Sequence, residues 1–173
     1  DDVINDDVNL PFGNNITNDL KISSTTTTTY NKFYGDAKKF IAFEAISKGD
    51  VVKFHVDSGS LKIRKASNQV PGTNDFNKDS ILGICLNTVT ANQSCYVCTS
   101  GITEVNFYDL SIDTEDTVDY GDYAILSSNN SYKGKVEKYD STSSYSGLII
   151  GYFMEKITDT SGSYLFYIQP MLK

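Results

Sequence analysis

Three cysteines, one histidine and 22 carboxylates are the side chains of this chain with which catalysis or metal binding would have to begin. Cys95 and Cys98 have the C-x-x-C spacing of zinc and thiol redox sites. The local pattern predicts a strand, however, and strand residues three apart point to opposite faces. No second C-x-x-C pair and no helix signal follow. We therefore interpret both as structural cysteines and expect no metal and no cofactor.

The cysteine count gives a further expectation about the compartment in which the chain assembles. Three is an odd number in a chain of 173 residues, which is large enough to form a core without covalent cross-links. A secreted disulfide framework is not indicated, and assembly in a reducing compartment fits best.

The single histidine, His55, does not indicate a catalytic triad. Alternation along residues 51–56 places it with Lys53 on the outward face of a predicted strand. A glycosidase needs only two carboxylates, and 22 are present. The number of carboxylates therefore gives no specific indication of a glycosidase. We predict that the chain is not an enzyme and has no catalytic residues.

Charged segments of the chain have simple structural interpretations. The acidic stretch 113–119 has Val118 where a calcium-binding EF-hand loop requires glycine, so a solvated linker is expected. Lys62 and Arg64 alternate with inward Leu61 and Ile63, which predicts a solvated strand face. The net charge of −7 disfavours nucleic acid as a partner, and no apolar run is long enough for a membrane helix.

Short β-branched and aromatic runs between turn residues predict an all-β protein, a small barrel or sandwich. The one competing helix is 36–48, with Asp36 as its N-cap and Gly49 as its C-cap. The predicted strands are 40–46, 51–56, 60–65, 81–87, 94–99, 102–107, 123–127, 134–139, 148–157 and 163–169.

The domain that spans residues 37–173 contains two related halves, at about 49–108 and 121–172. A Gly-Asp pair precedes an apolar run at 49–50 and again at 121–122. A glycine then interrupts a later apolar strand, at Gly83 and at Gly151. The first pattern is turn chemistry, and the second indicates a bulge or a close approach of two backbones.

Residues 1–36 differ from the rest, because they are rich in Asp, Asn, Ser and Thr and poor in core-forming side chains. We expect an extended N-terminal arm that adds strands or attaches to another surface, although a disordered tail fits the same composition. The residues expected to contact a partner are Leu10, Phe12, Ile16, Leu20, Ile22, Tyr30, Phe33 and Tyr34.

Three patterns in residues 38–107 are shared with a known family: G-D-x-V at 49–52, an apolar strand with Gly83 inside it, and an apolar strand that ends at Gly101. In these features the chain resembles capsid decoration and head-fibre proteins of tailed bacteriophages, with a weaker echo over 121–172. The resemblance implies a small β-barrel with no active site, often a homotrimer, that stabilises a capsid or displays a further domain. It also implies the major capsid protein as partner and the outer capsid surface of the virion, after assembly in the host cytoplasm, as location.

Two alternatives to this capsid-binding role remain open. The first is a glycan- or receptor-binding module of a phage head or tail fibre, with a host surface glycan as partner. The second is a small all-β hydrolase. Tyrosines suit a protein interface and also sugar recognition; those expected in loops or at strand ends are Tyr30, Tyr34, Tyr108, Tyr120, Tyr132, Tyr139 and Tyr145.

Overall fold

A computed structural model describes residues 7–9, 19–23, 28–68, 80–112, 116–140 and 149–171. Within these ranges the regular structure is all β apart from one 3₁₀ turn at Asn130–Tyr132. No helix there is long and apolar enough to cross a membrane. The strands are β1 (Asp7–Asn9), β2 (Asp19–Ser23), β3 (Thr28–Ile41), β4 (Val51–Asp57), β5 (Ser60–Lys65), β6 (Ile81–Cys85), β7 (Ser94–Tyr108), β8 (Tyr123–Leu126), β9 (Val136–Lys138), β10 (Ile149–Phe153) and β11 (Ser161–Met171).

The strands form two five-membered rings of the same topology. The first ring runs β3-β7-β6-β4-β5 and returns to β3 through a parallel bridge between Ala42 and Ile63. The second runs β7-β11-β10-β8-β9 and closes through a parallel pair, Phe107 with Val136. We call these the first and second barrels. The predicted fold class, an all-β barrel built from two related halves, is confirmed.

Several backbone hydrogen bonds of the first barrel have counterparts in the second. In the first, Cys85 N donates to Asp50 O (2.9 Å) and Leu86 N to Tyr96 O (2.8 Å). In the second, Phe153 N donates to Asp122 O (2.9 Å) and Met154 N to Leu165 O (2.9 Å). The two Gly-Asp turns match as well, since Gly49 and Gly121 both have φ = 87°. The positions of one barrel can therefore be compared with those of the other.

The two glycines inside apolar strands occupy equivalent positions of close backbone approach. A Cβ on Gly83 would overlap the carbonyl oxygen of Cys98, and a Cβ on Gly151 would overlap that of Tyr167. Each glycine therefore lets its strand lie against the next one without a side chain between them.

Strand β7 belongs to both barrels. The sequence predicted two separate strands, 94–99 and 102–107, but the structure has one continuous strand. Its beginning is the last strand of the first barrel, and its end is the first strand of the second. Each half therefore includes one more strand at its start than the sequence repeat suggested.

Strand β3 takes the place of the alternative helix at 36–48. It extends from Thr28 to Ile41, across position 36 where the arm was expected to end. Residues 33–41 pair with β7, whereas 28–32 pair with β2. Helix propensity in residues 36–39 is overridden because the backbone there pairs with β7 on one side and with β1 on the other.

Two apolar clusters fill the barrels. The smaller lies in the first barrel and contains Ala42, Ile46, Val52, Ile63, Cys85, Val89, Cys95 and Val97. The larger contains Phe107, Phe153 and Phe166 of the second barrel together with Val51 and Ile84 of the first. The two barrels are therefore joined through a shared core.

A disulfide links Cys85 of β6 to Cys95 of β7, with Cα atoms 6.5 Å apart, a pairing that the cysteine count did not predict. Adjacent strands bring the two residues together, which their sequence separation of 10 does not reveal. Cys98 is buried as a free thiol in the other cluster, and the opposite facing predicted for Cys95 and Cys98 is confirmed. Burial raises the pKa of the Cys98 thiol well above its ordinary range.

His55 is only 7% exposed, so the predicted outward, solvated position is wrong. The residues after β3 cross the outer face of β4, and the Phe43 ring lies 4.0 Å from the imidazole. Arg64 lies 5.6 Å from the same Phe43 ring and 3.6 Å from Glu44. Alternation correctly separates the two faces, but a chain segment covers the face that was expected to meet water.

The acidic segment is more than a solvated linker in the part that the structure describes, residues 116–119. Val118 is fully buried and exchanges two backbone hydrogen bonds with Ile157 (3.0 and 2.9 Å). Asp116 lies 3.0 Å from the Lys138 ammonium group, and Asp119 lies 3.5 Å from that of Lys156. The backbone bridge between Val118 and Ile157 is equivalent to the one between Ile46 and Val89 in the first barrel.

Candidate functional site

A polar cleft of about 580 Å³ lies where the two barrels meet; we call it the junction cleft. It is formed by the Gly-Asp turn of the first barrel, the end of β5, the C-terminal part of β7, the 3₁₀ turn with the residues that follow it, and the start of β11. Its lining residues are Ser47, Asp50, Lys65, Asn106, Ser131, Tyr132, Lys133, Lys135, Ser161 and Gly162.

Asp50 and Asn106 connect the two barrels through hydrogen bonds at the base of this cleft. The Asp50 carboxylate accepts hydrogen bonds from Ser47 N (2.9 Å) and from Asn106 Nδ2 (2.9 Å). Asn106 Nδ2 also donates to Lys48 O (2.8 Å), and Asn106 N donates to Gly49 O (2.9 Å). Burial raises the pKa of Asp50 above 3.8, although both hydrogen bonds oppose the rise.

Tyr132 lines the junction cleft and stacks on Tyr108 beside it. The rings of Tyr108 and Tyr132 lie 3.6 Å apart at an interplanar angle of 19°. The Lys135 ammonium group lies 5.8 Å from the first ring centroid and 5.7 Å from the second. The hydrogen bond with Tyr132 raises the pKa of Tyr108. Cation–π attraction between the Lys135 ammonium group and the two tyrosine rings stabilises this arrangement.

A second cleft, of about 330 Å³, contains the carboxylates that a hydrolase would need, Asp109 and Glu137. Burial raises the pKa of Glu137, as expected for a general acid. However, Glu137 accepts hydrogen bonds from Ser128 N (2.9 Å) and Oγ (3.1 Å). Asp109 accepts from Ser111 N (2.9 Å) and from Lys138 N (3.1 Å). Both carboxylates thus organise the surrounding loops.

Metal-binding side chains do not gather anywhere in the described ranges, where no group of three or more His, Cys, Asp or Glu residues could hold an ion.

The predicted partner-contacting residues of the arm fall into three groups. Leu10, Phe12 and Ile16 lie outside the described residues. Leu20 and Ile22 are in β2, and Tyr30 is in β3. Phe33 and Tyr34 are only 1% and 9% exposed, and Phe33 belongs to the larger core cluster. Contact of the arm with a partner stays a prediction, and Phe33 packs within the chain itself.

The sequence reasoning considered Tyr108 and Tyr132 as interface residues, and the structure brings them together beside the junction cleft. It did not identify Asn106, Lys133 or Lys135. Two lysines on either side of Gly134, directly after a loop tyrosine in an acidic chain, are the sequence signal that could have found them.

The sequence matches no model of a known protein family and no curated protein. Among solved structures, a bacteriophage head fibre is similar to this chain. The particular structure is the crystal structure of the N base of head fibre gp8.5 of bacteriophage phi29. Its TM-score is 0.48 at 13% identity, over 79% of this chain and 97% of that one.

Proposed function

We propose that this chain is a structural protein of a bacteriophage virion, without catalytic activity, that decorates or stabilises the capsid by binding the major capsid protein. The β2–β3 hairpin is the observation that carries the proposal. Residues 28–32 of β3 pair with β2, and the pairing of β3 with β7 begins only at Phe33. The hairpin therefore extends beyond the strands of the first barrel.

The hairpin has the chemistry of a docking element. Within the described ranges β2 pairs only with β3, so the backbone groups of its other edge are available to another chain. A free edge forms main-chain hydrogen bonds with an added strand, and apolar side chains on it supply specificity. Leu20 and Ile22, two residues apart in β2, are such side chains by sequence.

The barrels support a structural role for the rest of the chain. Phe107, Phe153 and Phe166 are fully buried, so side chains and not a ligand occupy the second barrel. The Gly-Asp turns and the interrupting glycines, which carry the sequence resemblance to capsid decoration and head-fibre proteins, serve turns and close packing here.

Cosedimentation with empty shells of the cognate major capsid protein tests this function. We compare the full chain, a chain without residues 1–27, and a Leu20→Lys/Ile22→Lys variant. The truncation keeps Phe33 and Tyr34, which the fold needs. Leu61→Lys in β5 is the matched control, because Leu61 is 56% exposed and its predicted inward position is wrong.

The full chain and the Leu61→Lys control should cosediment with shells, and the other two should lose at least about 90% of binding. Circular dichroism must show that all variants are folded. Unchanged binding of the truncated chain would refute the docking role of the arm. Sedimentation equilibrium of the free chain tests the trimer implied by the family resemblance, with a mass three times that of one chain expected.

A further inference from the structure

The junction cleft carries positive charge in an acidic protein. Its charged lining residues in the described part of the chain are Lys65, Lys133, Lys135 and Asp50. The Asp50 carboxylate is 4% exposed and already accepts two hydrogen bonds. Among the ion pairs of the described residues, none involves these three lysines. The lining residues of the cleft therefore include three lysines and only one carboxylate, which is buried.

The shape and the remaining groups of the cleft restrict what those charges can bind. Its volume of about 580 Å³ falls within the range of about 300–1,000 Å³ for small-molecule sites. The ring of Tyr132 lines it and is held by stacking on Tyr108, so a rigid flat surface is ready before a ligand arrives. The hydroxyls of Ser131 and Ser161 add hydrogen-bond donors and acceptors.

The combination points to one ligand class. The ammonium groups favour carboxylate or phosphate, the tyrosine ring favours the apolar face of a sugar, and the serines favour its hydroxyls. A long nucleic acid is disfavoured, because the net charge of −7 repels its backbone outside the cleft. We propose that the junction cleft binds an anionic saccharide. The proposal does not depend on capsid binding, since the arm forms no part of the cleft.

Isothermal titration calorimetry on the full chain at low ionic strength tests the proposal with three probes. Tetragalacturonic acid is the anionic saccharide, maltotetraose is the neutral one, and inorganic tripolyphosphate is an anion without a sugar ring. The variants are Lys133→Gln, Lys135→Gln and Tyr132→Ala. The matched control is Lys156→Gln, which removes a lysine that is outside the cleft lining and has a 52% exposed side chain.

Tetragalacturonic acid should bind, and maltotetraose should bind at least tenfold more weakly. Each lysine substitution in the cleft should raise the Kd about two- to fivefold, as the loss of one exposed ion pair does. Tyr132→Ala should raise it about fivefold through lost stacking, and Lys156→Gln should leave it within twofold. Added salt should weaken binding of the acid, because the ion pairs are screened.

Three results would overturn the proposal, given thermal melts that show folded variants. The first is no heat with any probe. The second is equal affinity for maltotetraose and tetragalacturonic acid, which removes the role of the lysines. The third is tighter binding of tripolyphosphate with no effect of Tyr132→Ala, which would make the cleft a general anion site.

Discussion

Reduction of the Cys85–Cys95 disulfide is expected to destabilise the protein by about 3 kcal/mol. The bond closes a loop with a sequence separation of 10 residues, and the loop-closure entropy that it removes from the unfolded chain corresponds to that free energy. Both side chains are buried, at 1% and 0% exposure. Reduction leaves the two sulfur atoms in the core. It therefore creates no cavity of the kind that a substitution would leave, and the expected loss of stability includes no cavity contribution.

The second barrel supplies an internal comparison for this prediction. The hydrogen-bond correspondence places Phe153 at the position of Cys85 and Tyr164 at that of Cys95. Both aromatic rings contact Phe107, with centroids 5.5 and 5.9 Å away. The second barrel is therefore filled by aromatic packing where the first is cross-linked, and only the first should respond directly to a reductant.

Urea unfolding with and without a phosphine reductant measures the effect, in a Cys98→Ala background that prevents thiol exchange from the free cysteine. The midpoint of thermal unfolding should fall by roughly 5–10 °C. Hydrogen exchange should accelerate in β6 (Ile81–Cys85) more than in its counterpart β10 (Ile149–Phe153). A Cys85→Ala/Cys95→Ala variant should show no response to the reductant.

Two outcomes would refute the reasoning. Three free thiols per wild-type chain, titrated after unfolding without reductant, would mean that the disulfide does not form. A loss of less than about 1 kcal/mol from an intact disulfide would mean that the chain-entropy account fails for this loop.

Three further predictions concern other parts of the fold. Gly83→Ala and Gly151→Ala should each lower the free energy of unfolding in urea by about 3 kcal/mol, because the new Cβ overlaps a carbonyl oxygen. Gly59→Ala, where φ is 82° and the space is open, should lower it by only about 1 kcal/mol. Equal losses would contradict the close-approach interpretation. Phe33→Ala should cost about 3–5 kcal/mol, as expected for a core residue, whereas a loss below about 1 kcal/mol would mean that its side chain is not packed in the core. Because the pKa of Asp50 is raised, the native state keeps the Asp50 proton to higher pH than the unfolded chain does. The contribution of Asp50 to stability should therefore fall as the pH rises from 3.8 through the folded pKa. An NMR titration of this carboxyl group with a midpoint at or below 3.8 would contradict the prediction.

The sequence by itself determined what depends on neighbours along the chain. Strand periodicity places β4, β5, β8 and β11 to within two residues, and the two Gly-Asp turns are in the same conformation. The duplicated pattern identified related halves, because a repeated unit needs the same turns and the same close approaches in each copy. The opposite facing of Cys95 and Cys98 also follows from the period of a strand.

Only the tertiary structure decided which strands lie side by side and what covers them. The pairing of β6 with β7 brings Cys85 to Cys95, and the segment after β3 buries His55. The junction cleft draws its residues from five separated parts of the chain, around Asp50, Lys65, Asn106, Lys133 and Ser161. No local sequence pattern predicts that these residues come together. A given residue type fits its own strand or turn equally well, whichever neighbouring surface it contacts in the folded protein.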